Sequence, residues 1–133
     1  AIQLGILLDE SNEALAAYVN DAIFYRMRCE QSLFYSDNCF GTADTISFDD
    51  NLLRIHDLKS GITQTSFKQL EVYAAIFCLE YGVDPFEIGM EFRIYQRSEV
   101  RVLDGDPNVI LTIIDKIIAF DQRIESLKEA NRW

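Results

Sequence analysis

The sequence predicts an α/β (α+β) fold with elements in the order α-βββ-α-ββ-α. Three observations carry that expectation. Apolar residues recur at helical spacing in three stretches, Phe86 to Gln96 alternates apolar and polar residues, and turn clusters cut the rest into strand-length pieces.

The first element is a helix over Ser11 to Ile23. Ser11 is its N-cap, Glu13 sits in the first turn, and Leu15, Tyr18, Val19 and Ile23 share one face. Arg26 to Tyr35 reads as a strand and ends at the turn cluster Ser36-Asp37-Asn38. Gly41 to Phe48 is a second strand, Asp49-Asp50-Asn51 its hairpin turn, and Leu52 to Lys59 a third strand closed by Ser60-Gly61. These three form an expected antiparallel meander. A helix follows over Ser66 to Tyr81, with Leu70, Ala74, Phe77 and Leu79 as apolar positions and Gly82 where a left-handed C-terminal residue belongs. In Phe86 to Gln96, Ile88, Met90, Phe92 and Ile94 alternate with Glu87, Glu91, Arg93 and Tyr95, as in a strand with one buried face. Val100 to Leu103 adds a short strand. Asp104-Gly-Asp-Pro107 breaks the chain before a long helix over Asn108 to Ala130, striped by Ile110, Ile113, Ile114, Ile117, Ile118 and Ile124.

At 133 residues, with 49% hydrophobic and 26% charged residues, the chain predicts one globular domain, neither disordered nor fibrous. No apolar run reaches the length that spans a bilayer, so no membrane partner and a soluble, cytoplasmic protein are expected. The chain starts at Ala1, and an N-terminal part of a longer protein is expected upstream. Cys29, Cys39 and Cys78 are odd in number and lack a CxxC pair. They predict reduced, mostly buried thiols and no iron–sulfur cluster. A net charge of −10 argues against passive coating of nucleic acid, yet it leaves room for an enzyme that meets phosphates through a divalent cation.

Three segments carry candidate chemistry: Gly41-Thr-Ala-Asp44, Asp57-Leu58-Lys59 and Gln69-Leu-Glu-Val-Tyr73. Asp57 and Lys59 are two apart on a strand and share a face, with Leu58 turned into the core. Pairing of the second and third strands would bring Asp44 beside Asp57. Two facing carboxylates repel, so they invite a divalent cation, which polarises a phosphodiester and acidifies water. Lys59 could then stabilise developing charge or orient the water. Gln69 and Tyr73, four apart, share one helix face and could hydrogen-bond the lysine, the water or a phosphate.

In order and in spacing these segments resemble the PD-(D/E)XK nuclease superfamily, and within it the RecB-like branch that includes phage exonucleases. That family has an aspartate on one strand, a D/E-x-K on the next and a Q-x-x-x-Y helix after it. The likeness runs from Met27 to Tyr81, and Glu91-Phe-Arg-Ile-Tyr-Gln96 also looks like the tail of phage-encoded members. It implies a restriction-endonuclease-like core with a central mixed β-sheet flanked by helices. The implied activity is Mg²⁺- or Mn²⁺-dependent hydrolysis of DNA, in recombination, repair or replication. The implied catalytic residues are Asp44, Asp57, Lys59, Gln69 and Tyr73, with Asp44, Asp57 and the Leu58 backbone carbonyl on the metal. The family's further ligand, a histidine or acid on an N-terminal helix, is not matched. His56 lies on the third strand facing away from Asp57. Glu10 and Glu13 read as solvated acids favoured by the helix dipole, and Glu30 is the better substitute.

Other readings stay open. A catalytically incomplete module could bind DNA or a protein partner without cutting, and the isoleucine-striped helix could serve a homo-oligomer or a recombination-protein partner. Glu91 and Arg93 read as an exposed ion pair, and Tyr95 and Trp133 as core or as base-stacking rings.

Overall fold

The structure is a computed structural model that describes residues 13–131. Ser11 and Glu10, at the start of the first expected helix, and Trp133 lie outside the described residues. Helix α1 (Glu13–Phe24) leads into strands β1 (Arg28–Ser36), β2 (Cys39–Asp49) and β3 (Leu52–Lys59). Helix α2 (Lys68–Tyr81) and a 3₁₀ turn (Pro85–Glu87) precede β4 (Gly89–Gln96), β5 (Glu99–Asp104) and α3 (Pro107–Ala130). The expected order α-βββ-α-ββ-α is the observed one. The strand expected from Phe86 instead begins at Gly89, because Asp84 accepts a hydrogen bond from the Phe86 N–H and Pro85 starts the 3₁₀ turn.

The five strands lie in sequence order in one mixed sheet. β1, β2 and β3 run antiparallel, β3 and β4 parallel, and β4 and β5 antiparallel. A parallel neighbour cannot be reached by a tight turn, and α2 supplies the crossover. The β2–β3 hairpin closes on Asp50 and Asn51 at φ 51° and 57°, a left-handed pair that short polar side chains tolerate. α2 ends at Gly82, φ 65°, whose neighbour Val83 donates its N–H to the Cys78 carbonyl.

α1 packs across β3 and β4 on one face, α2 covers β1 to β3 on the other, and α3 packs on α2. The main core lies on the α2 side, where Leu33, Ile46, Leu53, Ile55, Phe92 and Ile94 meet α2 and α3. Each such side chain, once buried, contributes roughly 1.5–3 kcal/mol. From the isoleucine stripe of α3, Ile110, Ile114 and Ile117 are buried, while Ile113, Ile118 and Ile124 are half-buried. No described helix is long and apolar enough to cross a membrane.

Three expectations need correction. β3 is covered on both faces, so alternation along it does not separate core from solvent. Leu53 and Ile55 join the α2-side core, and Asp57 and Lys59 continue that face. Leu58 is on the other face and only half-buried. Glu91 and Arg93 are not an exposed pair: their side chains keep 20% and 18% of their surface, beneath α1. Cys78 alone among the thiols is buried; Cys39 is intermediate and Cys29 exposed.

Candidate functional site

Thr45 pairs with His56 across β2 and β3, and the next step along that register sets Asp44 opposite Asp57. On its other side, Asp44 faces an irregularity. The β1–β2 pairs Cys29–Thr45 and Gln31–Ala43 flank an unpaired step at Glu30 and Asp44, with Glu30 at φ 51°. Ala43 and Ile46, three residues apart, consequently both reach the α2-side core, so the alternation of β2 slips here. The slip leaves Asp44 exposed at the sheet surface, next to a buried Asp57.

The two carboxyls lie within hydrogen-bonding reach of each other. That contact, desolvation and the Asp57 charge push the Asp44 pKa up to about 7, although Lys59 acts against the rise. Lys59 donates from Nζ to Asp57 Oδ2 at 2.8 Å and to Gln69 Oε1 at 3.0 Å. The Asp57 hydrogen bond, and the Asp57 and Asp44 charges, raise the lysine pKa, so it is an ammonium and not a base near neutral pH. The Gln69 amide then turns its Nε2 toward Tyr73 and donates to its hydroxyl at 2.8 Å. One amide orientation satisfies both neighbours, and the Tyr73 proton is left to point outward. Burial raises the Tyr73 pKa, which keeps that proton in place.

Gly41 explains how α2 comes so close. A Cβ built there would lie 2.9 Å from Tyr73 Cε1, so only glycine lets the ring lie against β2. Asp44, Asp57, Lys59, Gln69 and Tyr73 therefore form one continuous constellation at the end of the α2 face. Glu30 is exposed, and its charge reaches Asp44 and adds to the rise in its pKa. It does not complete a cluster: among the described residues, no three His, Cys, Asp or Glu side chains converge as a metal cage would require. The donors that do converge are hard carboxylate oxygens carrying more negative charge than one lysine offsets. Such a pair fits Mg²⁺ or Mn²⁺ better than a soft metal.

Several neighbours of the site carry no signal in the sequence. Tyr18, which reads as one more apolar position of α1, hydrogen-bonds Thr45 and lies within electrostatic reach of Asp44 and Asp57; burial pushes its pKa up to about 12. With Glu30 and Asp44 it lines a small cavity of about 120 Å³. Gln96 is buried and donates to the carbonyls of Gly61 and Thr63 at 2.6 and 2.9 Å, and Arg101 donates to that of Thr65 at 2.7 Å. These bonds pin the loop that joins Lys59 to the Gln69 helix.

His56 points away from Asp57 into a closed polar layer under α1. Its Nδ1 lies 3.2 Å from the Tyr95 hydroxyl, which donates to Asp21 at 2.6 Å. Its Nε2, 3.9 Å from Glu91, has no hydrogen-bond partner. Desolvation, then the charges of Arg93 and Arg54, hold the imidazole neutral down to about pH 3. Tyr95 is fully buried and so belongs to the core.

No family model and no curated protein matches the chain. Among solved structures, the crystal structure of SSO0001 is similar to it, with a TM-score of 0.42 and 10% identity. The likeness covers 80% of this chain, which spans 57% of that one.

Proposed function

We propose that this chain is a divalent-metal-dependent deoxyribonuclease that hydrolyses phosphodiester bonds, as the motif resemblance to RecB-like exonucleases implies. The observation that carries the reading is the unbroken run from Asp44 through Asp57, Lys59 and Gln69 to Tyr73. A bound Mg²⁺ or Mn²⁺ would polarise the scissile phosphate and lower the pKa of an attacking water. Asp44, Asp57 and the Leu58 backbone carbonyl are the groups that would hold it. Asp57 also anchors Lys59, whose permanent charge offsets the negative charge that grows on the phosphate. Gln69 fixes the lysine at the distance set by its amide. Tyr73 offers its hydroxyl proton to a phosphate oxygen. Tyr18 excludes water from the α1 side of the carboxylates.

The test is cleavage of linear DNA with Mg²⁺ or Mn²⁺. Activity should vanish in EDTA and in Asp57→Ala, and metal-independent cutting or a fully active Asp57→Ala variant rejects the reading. A second reading, a module that binds DNA or a protein partner without cutting, is favoured by the convergence of only two carboxylates among the described residues. It predicts that DNA is bound and stays intact with either metal.

A further inference from the structure

A cleft of about 710 Å³ opens at the other end of β2 and β3, between the end of α1, the start of β1 and α2. Along β2 its lining runs from Ile46 to Asp49, so at about 3.3 Å per strand residue it begins roughly 7 Å from Asp44. Three of its lining residues are Arg26, Arg28 and Arg54, in a chain whose net charge is −10. Arg26 and Arg28 are exposed and form no ion pair among the described residues. Arg26 is itself held at φ 53°, a left-handed conformation that an arginine rarely adopts.

Arg54 lies over the Tyr25 ring at 4.0 Å, and its buried Nε has no hydrogen-bond partner; Glu91, at 3.6 Å, is an ion-pair contact only. Ser47, directly across the β2–β3 ladder from Arg54, carries a second buried polar atom without a partner, its hydroxyl. Both residues line the cleft. Buried unsatisfied polar groups are uncommon, and two side by side at one cavity point to a missing partner. The same cleft presents the exposed rings of Phe48 and Tyr81. One carboxylate, Asp49, lines it at the hairpin end.

From this combination we infer that the cleft binds a nucleotide. Its phosphate sits on Arg28 and Arg26 at the edge of β2, where pairing with β1 ends at Ile46, within reach of the Ser47–Arg54 pair on the α1 face. Its base lies against Phe48 and Tyr81 on the α2 face. A bare inorganic anion would leave the rings unused, and an apolar ligand would bury the arginines without a counter-charge. A phosphorylated base satisfies both. The inference stands apart from the nuclease reading, since it invokes neither the carboxylate pair nor a metal.

Calorimetric titration with thymidine 5′-monophosphate in EDTA tests it, with thymidine and inorganic phosphate as comparators. The monophosphate should bind more tightly than either, and Arg28→Glu should weaken it about tenfold. Arg54→Gln should weaken it as much; should that variant fail to fold, the exposed Arg28 position carries the test alone. Lys59→Ala, at the far end of the strands, should leave the affinity unchanged. A 5′-phosphorylated oligothymidylate that binds at least as tightly assigns the cleft to the end of a strand, and one that binds more weakly assigns it to free nucleotides; both support the inference. Equal binding of thymidine and its monophosphate overturns it, as does an Arg28→Glu affinity equal to that of the parent or a loss confined to Lys59→Ala. Because no cleavage occurs in EDTA, an inactive enzyme and an empty cleft give different results.

Discussion

His56 and Asp57 are neighbours on one strand, and the sheet sends them into opposite kinds of polar environment. Under α1, His56 joins a closed layer in which charges are matched. Arg93 bonds Glu91 at 2.8 Å and Asp21 at 3.2 Å, Tyr95 donates to Asp21, and Arg54 stacks on Tyr25. On the α2 side, Asp57 shares an open edge with a second carboxyl and one ammonium. Apart from Arg54, whose edge opens on the cleft, the first layer is neutralised within itself and ties α1 to β3 and β4. The second carries one carboxyl more than its ammonium offsets, and Asp44 answers by holding its proton up to about pH 7. Polar residues that serve the fold and polar residues free to do chemistry are thus told apart by whether their charges close.

The largest effects should cross between the two layers. Arg93→Met leaves Asp21 without its counter-charge and Glu91 with only the 3.6 Å contact to Arg54, and should cost about 3 kcal/mol in urea unfolding. Its cleavage rate per folded molecule should stay within about twofold of the parent, because no residue of the carboxylate run touches it. Asp44→Asn should do the reverse. Cleavage should fall about a thousandfold, while the metal-free protein at pH 8 should be as stable as the parent or more so, since a like-charge contact is removed. An Arg93→Met variant of parental stability, or a destabilised Asp44→Asn, would erase the distinction.

A medium effect should appear in the pH dependence of the metal-free protein, where the two layers have opposite signs. The folded pKa of His56 is about 3, below its unfolded 6.5, so between those values the unfolded chain holds the extra proton and stability rises with pH. The slope from this one group is about 1.4 kcal/mol per pH unit. The imidazole is faced by Arg54, Arg93, Glu91, Tyr95 and Tyr25, none of which relieves its desolvation. Asp44 behaves oppositely. Its folded pKa of about 7 lies above the unfolded 3.8, so the folded chain holds the extra proton and stability falls as pH rises across that window. Asp44 is exposed, so solvent screening makes its share the smaller. Urea midpoints from pH 4 to 6.5 should therefore rise gently in the parent, more steeply in Asp44→Asn, and fall in His56→Gln. Parallel profiles in all three would show that the layers do not titrate as their burial requires.

Much of this contrast could be read from residue order, and its limits are physical. Turn chemistry at Asp50-Asn51 and Gly82 located β3 and the end of α2, because backbone conformation there depends on few residues. The Asp44, Asp57–Lys59 and Gln69–Tyr73 groupings were legible because strand and helix periods fix which side chains share a face. The closed layer was not legible. Glu91 and Arg93 alternate as a solvent face would, and only the docking of α1, a long-range event, buries them. The same holds for Leu58, since a strand covered on both faces has no polar side to reveal. The slip at Glu30 was also hidden. A left-handed glutamate leaves no mark in composition, yet it turns Asp44 out of the ladder.

The smallest effect concerns the seam between β2 and α2, where close approach holds the open layer in shape. A methyl group at position 41 would sit 2.9 Å from Tyr73 Cε1 and 3.6 Å from Cδ1, so Gly41→Ala must push the ring away from β2. The Gln69–Tyr73 bond, at 2.8 Å, is the first to stretch, and the Lys59–Gln69 bond at 3.0 Å follows because one amide makes both. Overpacking of this kind costs about 1 kcal/mol. Cleavage should drop about tenfold through the misplaced hydroxyl and lysine. The cause is separable from a general strand defect by a double-mutant cycle. In a Tyr73→Ala background the clash has no partner, so Gly41→Ala should cost nothing and could even stabilise, because alanine loses less backbone freedom than glycine on folding. An equal loss in both backgrounds would mean that Gly41 is needed by β2 itself, and the close approach of Tyr73 would be a consequence of the fold instead of a condition of the site.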